Sequence, residues 1–170
     1  VARAAIWGIK TLVLTDINNT SAAFEFIQLC KKHGVKPVVG IDFRTTDYQR
    51  QYLGIAKNLE GFCELNAFLT QCSRSGGALP AQPPHFKHAW VVYPRLHKPI
   101  EDFAEHELLG IRPEHATRLF KHPLLTHAHK LVIAQTVTFA DDTTYEQHQL
   151  LRAIDCNVVL SKLRPLDIAK

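Results

Sequence analysis

Between Lys10 and Phe43 the apolar residues come first as an unbroken run, then at helical spacing, then as a second unbroken run. Lys10–Thr15 is short, β-branched and leucine-rich, which predicts a strand buried on both faces. Asp16-Ile17-Asn18-Asn19 supplies turn residues, and Asn19 or Thr20 can cap the helix that follows. On that helix Ala23, Phe26, Ile27 and Cys30 make one apolar stripe. Lys31, Lys32 and His33 complement the dipole of its last turn, and Gly34 ends it. Val35–Phe43 is the second strand. A strand, a helix and a strand in such short order predict a right-handed βαβ unit with parallel strands. Asp16 and Asp42 then each stand just past an apolar run, where parallel α/β folds place their chemistry.

The same alternation continues. Val1–Trp7 reads as the end of an amphipathic helix, with Gly8 placed for a left-handed cap. Tyr48–Lys57 predicts a strand, and Asn58 caps a helix over Leu59–Cys72, with Phe62, Leu65, Phe68, Leu69 and Cys72 on one face. Ser73–Lys87 is rich in Gly, Ser and Pro and predicts a flexible loop within one domain spanning residues 1–170. His88–Tyr93 and Glu107–Ile111 are strands, and Pro113 opens a helix over Glu114–Lys121. Leu131–Phe139 is a further strand. Thr143 and Glu146 form a capping box for a helix over Thr143–Asp155 whose Leu150, Leu151 and Ile154 face inward. Val158–Lys170 reads as a helix or a linker. The pattern argues α/β, as a barrel or an open parallel sheet.

Composition narrows the class. The 170 residues are 46% apolar, enough for one domain with a real core. The net charge is +4, but the 20 Lys and Arg residues are scattered, so nucleic acid is permitted rather than indicated. Cys30, Cys63, Cys72 and Cys156 form no CxxC pair and suit reduced thiols of a cytoplasmic protein. No apolar run is long enough to span a membrane. The start at Val1, on the tail of a helix, predicts a piece of a longer polypeptide. No GxGxxG or GxxxxGK phosphate loop occurs, which weakens a nucleotide-binding reading of the α/β pattern.

The segments GIKTLVLTDINN, KKHGVKPVVGIDF, AKNLEGFCELNAFL and YEQHQLLRAID, in that order, resemble the polymerase and histidinol phosphatase (PHP) domain found in the bacterial DNA polymerase III alpha subunit. The resemblance implies a distorted (β/α)7 barrel, here lacking the first strand. Active members hold metal ions at the C-terminal mouth of the strands and hydrolyse phosphoesters, in some polymerases as a proofreading exonuclease. It also implies that the remainder of a polymerase chain, DNA and replisome subunits are partners, and that DNA synthesis itself lies in another region.

Carried over position by position, the family's metal ligands are mostly replaced. The first HxH would lie before Val1. Of the second motif Asp16 remains, with Ile17 where a ligating His belongs. Asp42 stands for a Glu, Gln51 for a His, and Thr136 and Thr138 for the Asp and His of the last motif. Because a catalytic metal needs about three firm protein ligands, Asp16 and Asp42 alone would hold at best a weakly bound Mg²⁺. The leading expectation is a degenerate structural and interaction module. Its competitor is an active phosphoesterase using Asp16, Asp42, the missing HxH or His148.

Other signals carry plainer readings beside the chemical one. His127-Ala128-His129 has metal-ligand spacing, but it precedes a strand and reads as a solvated loop at the opposite pole. His33 reads as a helix-end partner, and His106, His115 and His122 as surface residues. Asp16 has a structural alternative as an Asx turn or cap. Asp42 has one as an ion pair with Arg44 and a neighbour. Lys10, Lys36 and Arg44 read as a solvated face.

Overall fold

The computed structural model describes residues 1–76, 79–120, 122–164 and 167–168. Its contacts divide the chain into two compact units, Val1–Ala134 and Gln135–Lys170. The first unit holds α1 (Ala2–Ile6), β1 (Thr11–Ile17), α2 (Ala23–Lys32), β2 (Lys36–Arg44), β3 (Arg50–Ala56), α3 (Leu59–Arg74), β4 (Ala89–Tyr93), β5 (Glu107–Ile111), α4 (Pro113–Ala116) and β6 (Leu131–Ile133). The six strands form one curled sheet in sequence order.

The βαβ unit is present: β1 and β2 pair in parallel with α2 between them. The sheet is nonetheless mixed, because β3 runs antiparallel to both β2 and β4, while β4, β5 and β6 pair in parallel. The open parallel sheet, one of the two alternatives the pattern allowed, is not what forms, for a simple reason. Only residues 45–49 separate β2 from β3, and a parallel return needs a crossover of a dozen residues or more.

β1 is an edge strand rather than one buried on both faces. Leu12 and Leu14 pack toward Phe26, Cys30 and Val35, while Val13 and Ile17 on the other face are 47% and 44% exposed. An edge strand meets a neighbour on one side only, so a continuously apolar sequence does not bury itself. The main core lies between the sheet and α3, where Ile41, Phe43, Tyr52, Leu65, Phe68 and Val91 are buried. Asn58 caps α3 as expected, its Oδ1 accepting from the Gly61 N–H at 2.9 Å. A Cβ at Gly61 would stand 1.9 Å from the His88 carbonyl oxygen, so only glycine lets α3 lie this close to β4.

Ser73 and Arg74 belong to α3, and the rest of the expected loop contains no strand among its described residues. Gly77 and Ala78 lie outside the described residues. Phe86 from this segment is buried in the core, and the Pro80 carbonyl accepts from Tyr52 Oη at 3.2 Å. The expected strand Leu131–Phe139 stops at Ile133. Its partner β5 is exhausted there, since Ile111 pairs with Ile133 and accepts from the Ala134 N–H, and Pro113 follows. The helix expected over Glu114–Lys121 is α4 followed by a 3-10 turn at Thr117–Leu119, and Lys121 lies outside the described residues.

The second unit carries α5 (Asp142–Asp155) and a 3-10 turn at Leu160–Lys162. The capping box is real but sits two residues earlier than expected. Asp141 Oδ1 accepts from the Thr144 N–H, and Thr144 Oγ1 accepts from the Asp141 N–H, so the residue with the stronger acceptor takes the cap. Leu150, Leu151 and Ile154 do not face a core: they are 55%, 66% and 67% exposed, and Ala153 is the buried residue of α5. So short a unit offers little surface of its own to cover a helix face. In the segment Val158–Lys170, residues 165, 166, 169 and 170 lie outside the described residues.

Candidate functional site

Five strands run one way and β3 runs against them, so the C-terminal ends of β1 and β2 share an edge with the start of β3. The register of β1 on β2 decides what meets there. Asp16 stands opposite Ile41, and Ile17 stands opposite Asp42. Because side chains alternate along a strand, residues at one register position share a face and their neighbours take the other. Asp16 therefore lies on the helix-bearing face with Leu12, Leu14 and Ile41, whereas Asp42 lies on the opposite face with Ile17. The two carboxylates expected to form a remnant site do not converge.

Asp42 is 2% exposed and fully engaged. Arg44 donates to its Oδ2 from Nε at 3.0 Å and from Nη2 at 2.7 Å. Arg50 donates from Nε to Oδ1 at 3.0 Å and from Nη2 to Oδ2 at 2.7 Å. The ion pair foreseen with Arg44 is present, and its neighbour is Arg50, from the adjacent strand. The second arginine arrives through a β-bulge. Phe43 pairs with Tyr52 and Arg44 pairs with Arg50, leaving Gln51 as the extra residue of β3. Without that extra residue Arg50 would point to the opposite face from Asp42; the one-residue slip brings it onto Asp42's face.

Asn18 holds the same corner. Its backbone is left-handed, at φ 46°, and its amide bonds the Arg44 backbone twice. Nδ2 donates to the Arg44 carbonyl at 2.7 Å, and Oδ1 accepts from the Arg44 N–H at 2.9 Å. This pair extends the β1–β2 ladder past the end of β1, with the Asn18 N–H donating to the Asp42 carbonyl at 3.1 Å. The Asx turn considered for Asp16 belongs instead to Asn19, whose Oδ1 accepts from the N–H groups of Thr20 and Ser21. Asn19 lies past the strand end, where its side chain can turn onto the following backbone; Asp16 is still within the ladder.

Gln51 occupies the bulge, half-buried. Thr136 and Thr138 belong to the second unit, beyond the end of β6, and both are exposed. His148 lies on α5 of that unit, its ring 5.9 Å from that of Phe139. Among the described residues no group of three or more His, Cys, Asp or Glu side chains is arranged to hold a metal ion. The Asp42 corner does not fit a divalent cation: the acid faces two guanidinium groups, an apolar Ile17 sits at its register, and Asp16 points away.

A second buried acid was not anticipated. Glu107, first residue of β5, accepts from Tyr93 Oη at 2.9 Å, Lys98 Nζ at 2.6 Å and the Ala104 N–H at 2.7 Å. Burial pushes its carboxyl up, but the bonds from Lys98, Ala104 and Tyr93 outweigh that and leave it below the ordinary value. Burial and the Glu107 bond push the Tyr93 hydroxyl up in turn. His106, expected at the surface, is 7% exposed, with its ring 4.4 Å from that of His85. It precedes β5, and the sheet pairing that carries its carbonyl to the Val91 N–H draws the side chain inward. Burial, with His85 next, pushes its pKa down, and its Nδ1 has no hydrogen-bond partner among the described residues. His115 and His122 are exposed. The His127 and His129 pair sits on the 3-10 segment preceding β6, where His127 Nε2 lies 3.3 Å from Glu101 Oε1.

The model of the PHP domain matches residues 1–146. The chain belongs to the PHP domain family. Its curled sheet is compatible with part of a PHP barrel. The DNA polymerase III subunit alpha of Streptococcus pyogenes is 35% identical over 65 residues, as are those of its serotypes M1 and M3. Each match covers 37% of this PHP chain and 6% of the relative's length. Among the described residues no helix is long and apolar enough to cross a membrane.

Proposed function

We propose that this PHP domain is a non-catalytic structural and interaction module of a cytoplasmic replicative DNA polymerase chain, in which an arginine pair replaces metal ions at the mouth of the sheet. The observation that carries this reading is the Asp42 corner. Each guanidinium donates two bonds or more to the carboxylate, so positive charge is supplied by fixed side chains with no open coordination position. A cation bound there would have to displace two others. Arginine cannot lend a proton or ionise a water at neutral pH, so the substitution supports the strand ends without supplying what hydrolysis requires. The S. pyogenes relatives support placing the domain within a longer polymerase polypeptide, whose remaining regions, with DNA and other replisome subunits, are the proposed partners. Asp16, Asp42, Ile17, Gln51, Thr136 and Thr138 are, on this reading, the altered positions of the family's metal site, and the weak Mg²⁺ site expected at the two acids is dropped because they lie on opposite faces of the sheet.

The test is elemental analysis of the purified chain after dialysis against Zn²⁺, Mn²⁺ or Mg²⁺. It is joined to assays of bis-p-nitrophenyl phosphate hydrolysis and of 3′-end degradation of a labelled oligonucleotide. The expected result is substoichiometric metal and no turnover above background. Stoichiometric metal with turnover that disappears in Asp42→Ala would overturn the proposal.

A further inference from the structure

At the sheet pole opposite Asp42, Lys57 follows the end of β3, while His106 and Lys130 lead into β5 and β6. A strap of residues 79–88, with prolines at 80, 83 and 84, lies against the core nearby. It is fastened at three points. Tyr52 Oη donates to the Pro80 carbonyl at 3.2 Å. The Phe86 ring is buried, 5.7 Å from that of Phe68, and the His88 N–H donates to Glu64 Oε2 at 2.9 Å. Among the described residues no backbone-to-backbone hydrogen bond ties residues 79–87 to the sheet. Between the fastenings, exposed His85 sets its ring edge-on to buried His106, with centroids 4.4 Å apart and planes at 84°.

The groups facing His106 are His85, Glu107, Lys57 and Lys130. Both lysines are held in place, Lys57 over the Trp90 ring at 4.0 Å and Lys130 by a bond to the Ala104 carbonyl at 2.6 Å. Glu107, the acid of the set, is already engaged by Tyr93, Lys98 and the Ala104 N–H. Two neutral imidazoles pack here without conflict. A protonated His106 meets two lysines, and its Nδ1, which has no partner among the described residues, carries an N–H with no acceptor. We infer that the His85–His106 contact is an acid-sensitive latch: it holds residues 79–87 against the core at neutral pH and releases them, with the Phe86 ring, when the pair gains protons. The sheet stays intact, because the strap contributes nothing to its ladder. Burial, with His85 next, holds the His106 pKa below the ordinary value while the strap is closed. The open strap therefore binds the proton more readily, and falling pH drives opening. Release bares the slot beside Phe68 that Phe86 fills. The inference does not rest on the reading of Asp42.

The experiment is fluorine NMR of the full chain carrying para-fluorophenylalanine at position 86 alone, titrated from about pH 7.5 to about pH 5, across the range in which imidazole charges. The shift difference between H2O and D2O reports exposure of that ring, and far-UV circular dichroism follows the sheet. The variants are His106→Phe, His85→Leu and, as a control on exposed α4, His115→Ala. The ring is expected to pass from buried to exposed as the pH falls, before any loss of the circular dichroism signal. His106→Phe should keep it buried throughout. His85→Leu, at an exposed position that folding tolerates, should lower the midpoint by about half a pH unit or more, and His115→Ala should leave it unchanged. A ring that stays buried in the native chain, exposure that coincides with loss of the sheet signal, or a midpoint unmoved in both His106→Phe and His85→Leu would each overturn the latch.

Discussion

Arg50 reaches Asp42 because β3 carries one residue more than β2 at Gln51. The bulge is thus the device that neutralises a carboxylate 2% exposed to solvent. Removing one partner of a buried ion pair leaves an uncompensated charge, typically costing 3–5 kcal/mol, but here either arginine can partly serve for the other. Arg44→Ala or Arg50→Ala alone should cost about 1–2 kcal/mol, and the double variant more than the sum. Urea denaturation of the four proteins in a double-mutant cycle measures this, and a strictly additive result would show that the two guanidiniums act independently.

Asn18 combines a left-handed backbone with two hydrogen bonds to Arg44. Asn18→Ala removes the bonds and puts at positive φ a residue that tolerates it less well than asparagine, together about 2–3 kcal/mol. Asn18→Gly also removes the bonds but sheds the Cβ that positive φ disfavours. The glycine variant should therefore be the more stable of the two by about 1 kcal/mol, read from their urea midpoints.

Helix propensity and packing disagree at Gly61. Alanine is the better helix former by about 1 kcal/mol, yet its Cβ would stand 1.9 Å from the backbone oxygen of His88. Backbone cannot give way as a flexible side chain can, so Gly61→Ala should destabilise by about 3 kcal/mol or more. Thermal unfolding tests it: a raised Tm would mean that α3 can slide off β4 at little cost.

Acid should weaken the protein in two steps. His106, facing His85, Glu107, Lys57 and Lys130, has its folded pKa below the ordinary 6.5. The unfolded chain then binds the proton more readily, so stability is full above about pH 6.5 and declines as the pH falls below it. Glu107 is held below its ordinary 4.5. Its contribution is present above that value and is lost as the pH drops through the folded one. Stability measured against pH should show both declines, and His106→Phe, which also removes the orphaned Nδ1, should flatten the upper one. An unchanged upper decline would assign it to another group.

Periodicity located most elements of the first unit because their apolar faces do meet a partner. Leu65, Phe68 and Cys72 were legible as one stripe and are buried together. It failed where burial depends on what lies alongside: β6 ends with its partner strand, β1 is an edge, and Leu150, Leu151 and Ile154 form a stripe that stays exposed. Glu107 and His106 gave no local signal, since their surroundings come from β4, the segment before β5 and the loop carrying His85.

The sequence by itself determined the family, through ordered motifs, and the strand, turn, helix and strand from Thr11 to Arg44, because both depend on residues close together in the chain. It also placed an apolar Ile17 beside Asp16. Only the tertiary structure decided which acid faces which. Strand alternation separates Asp16 from Asp42, and a single unpaired residue at Gln51 turns Arg50 toward Asp42. Facing is a property of register between strands, and a one-residue slip that no composition or spacing records reverses it.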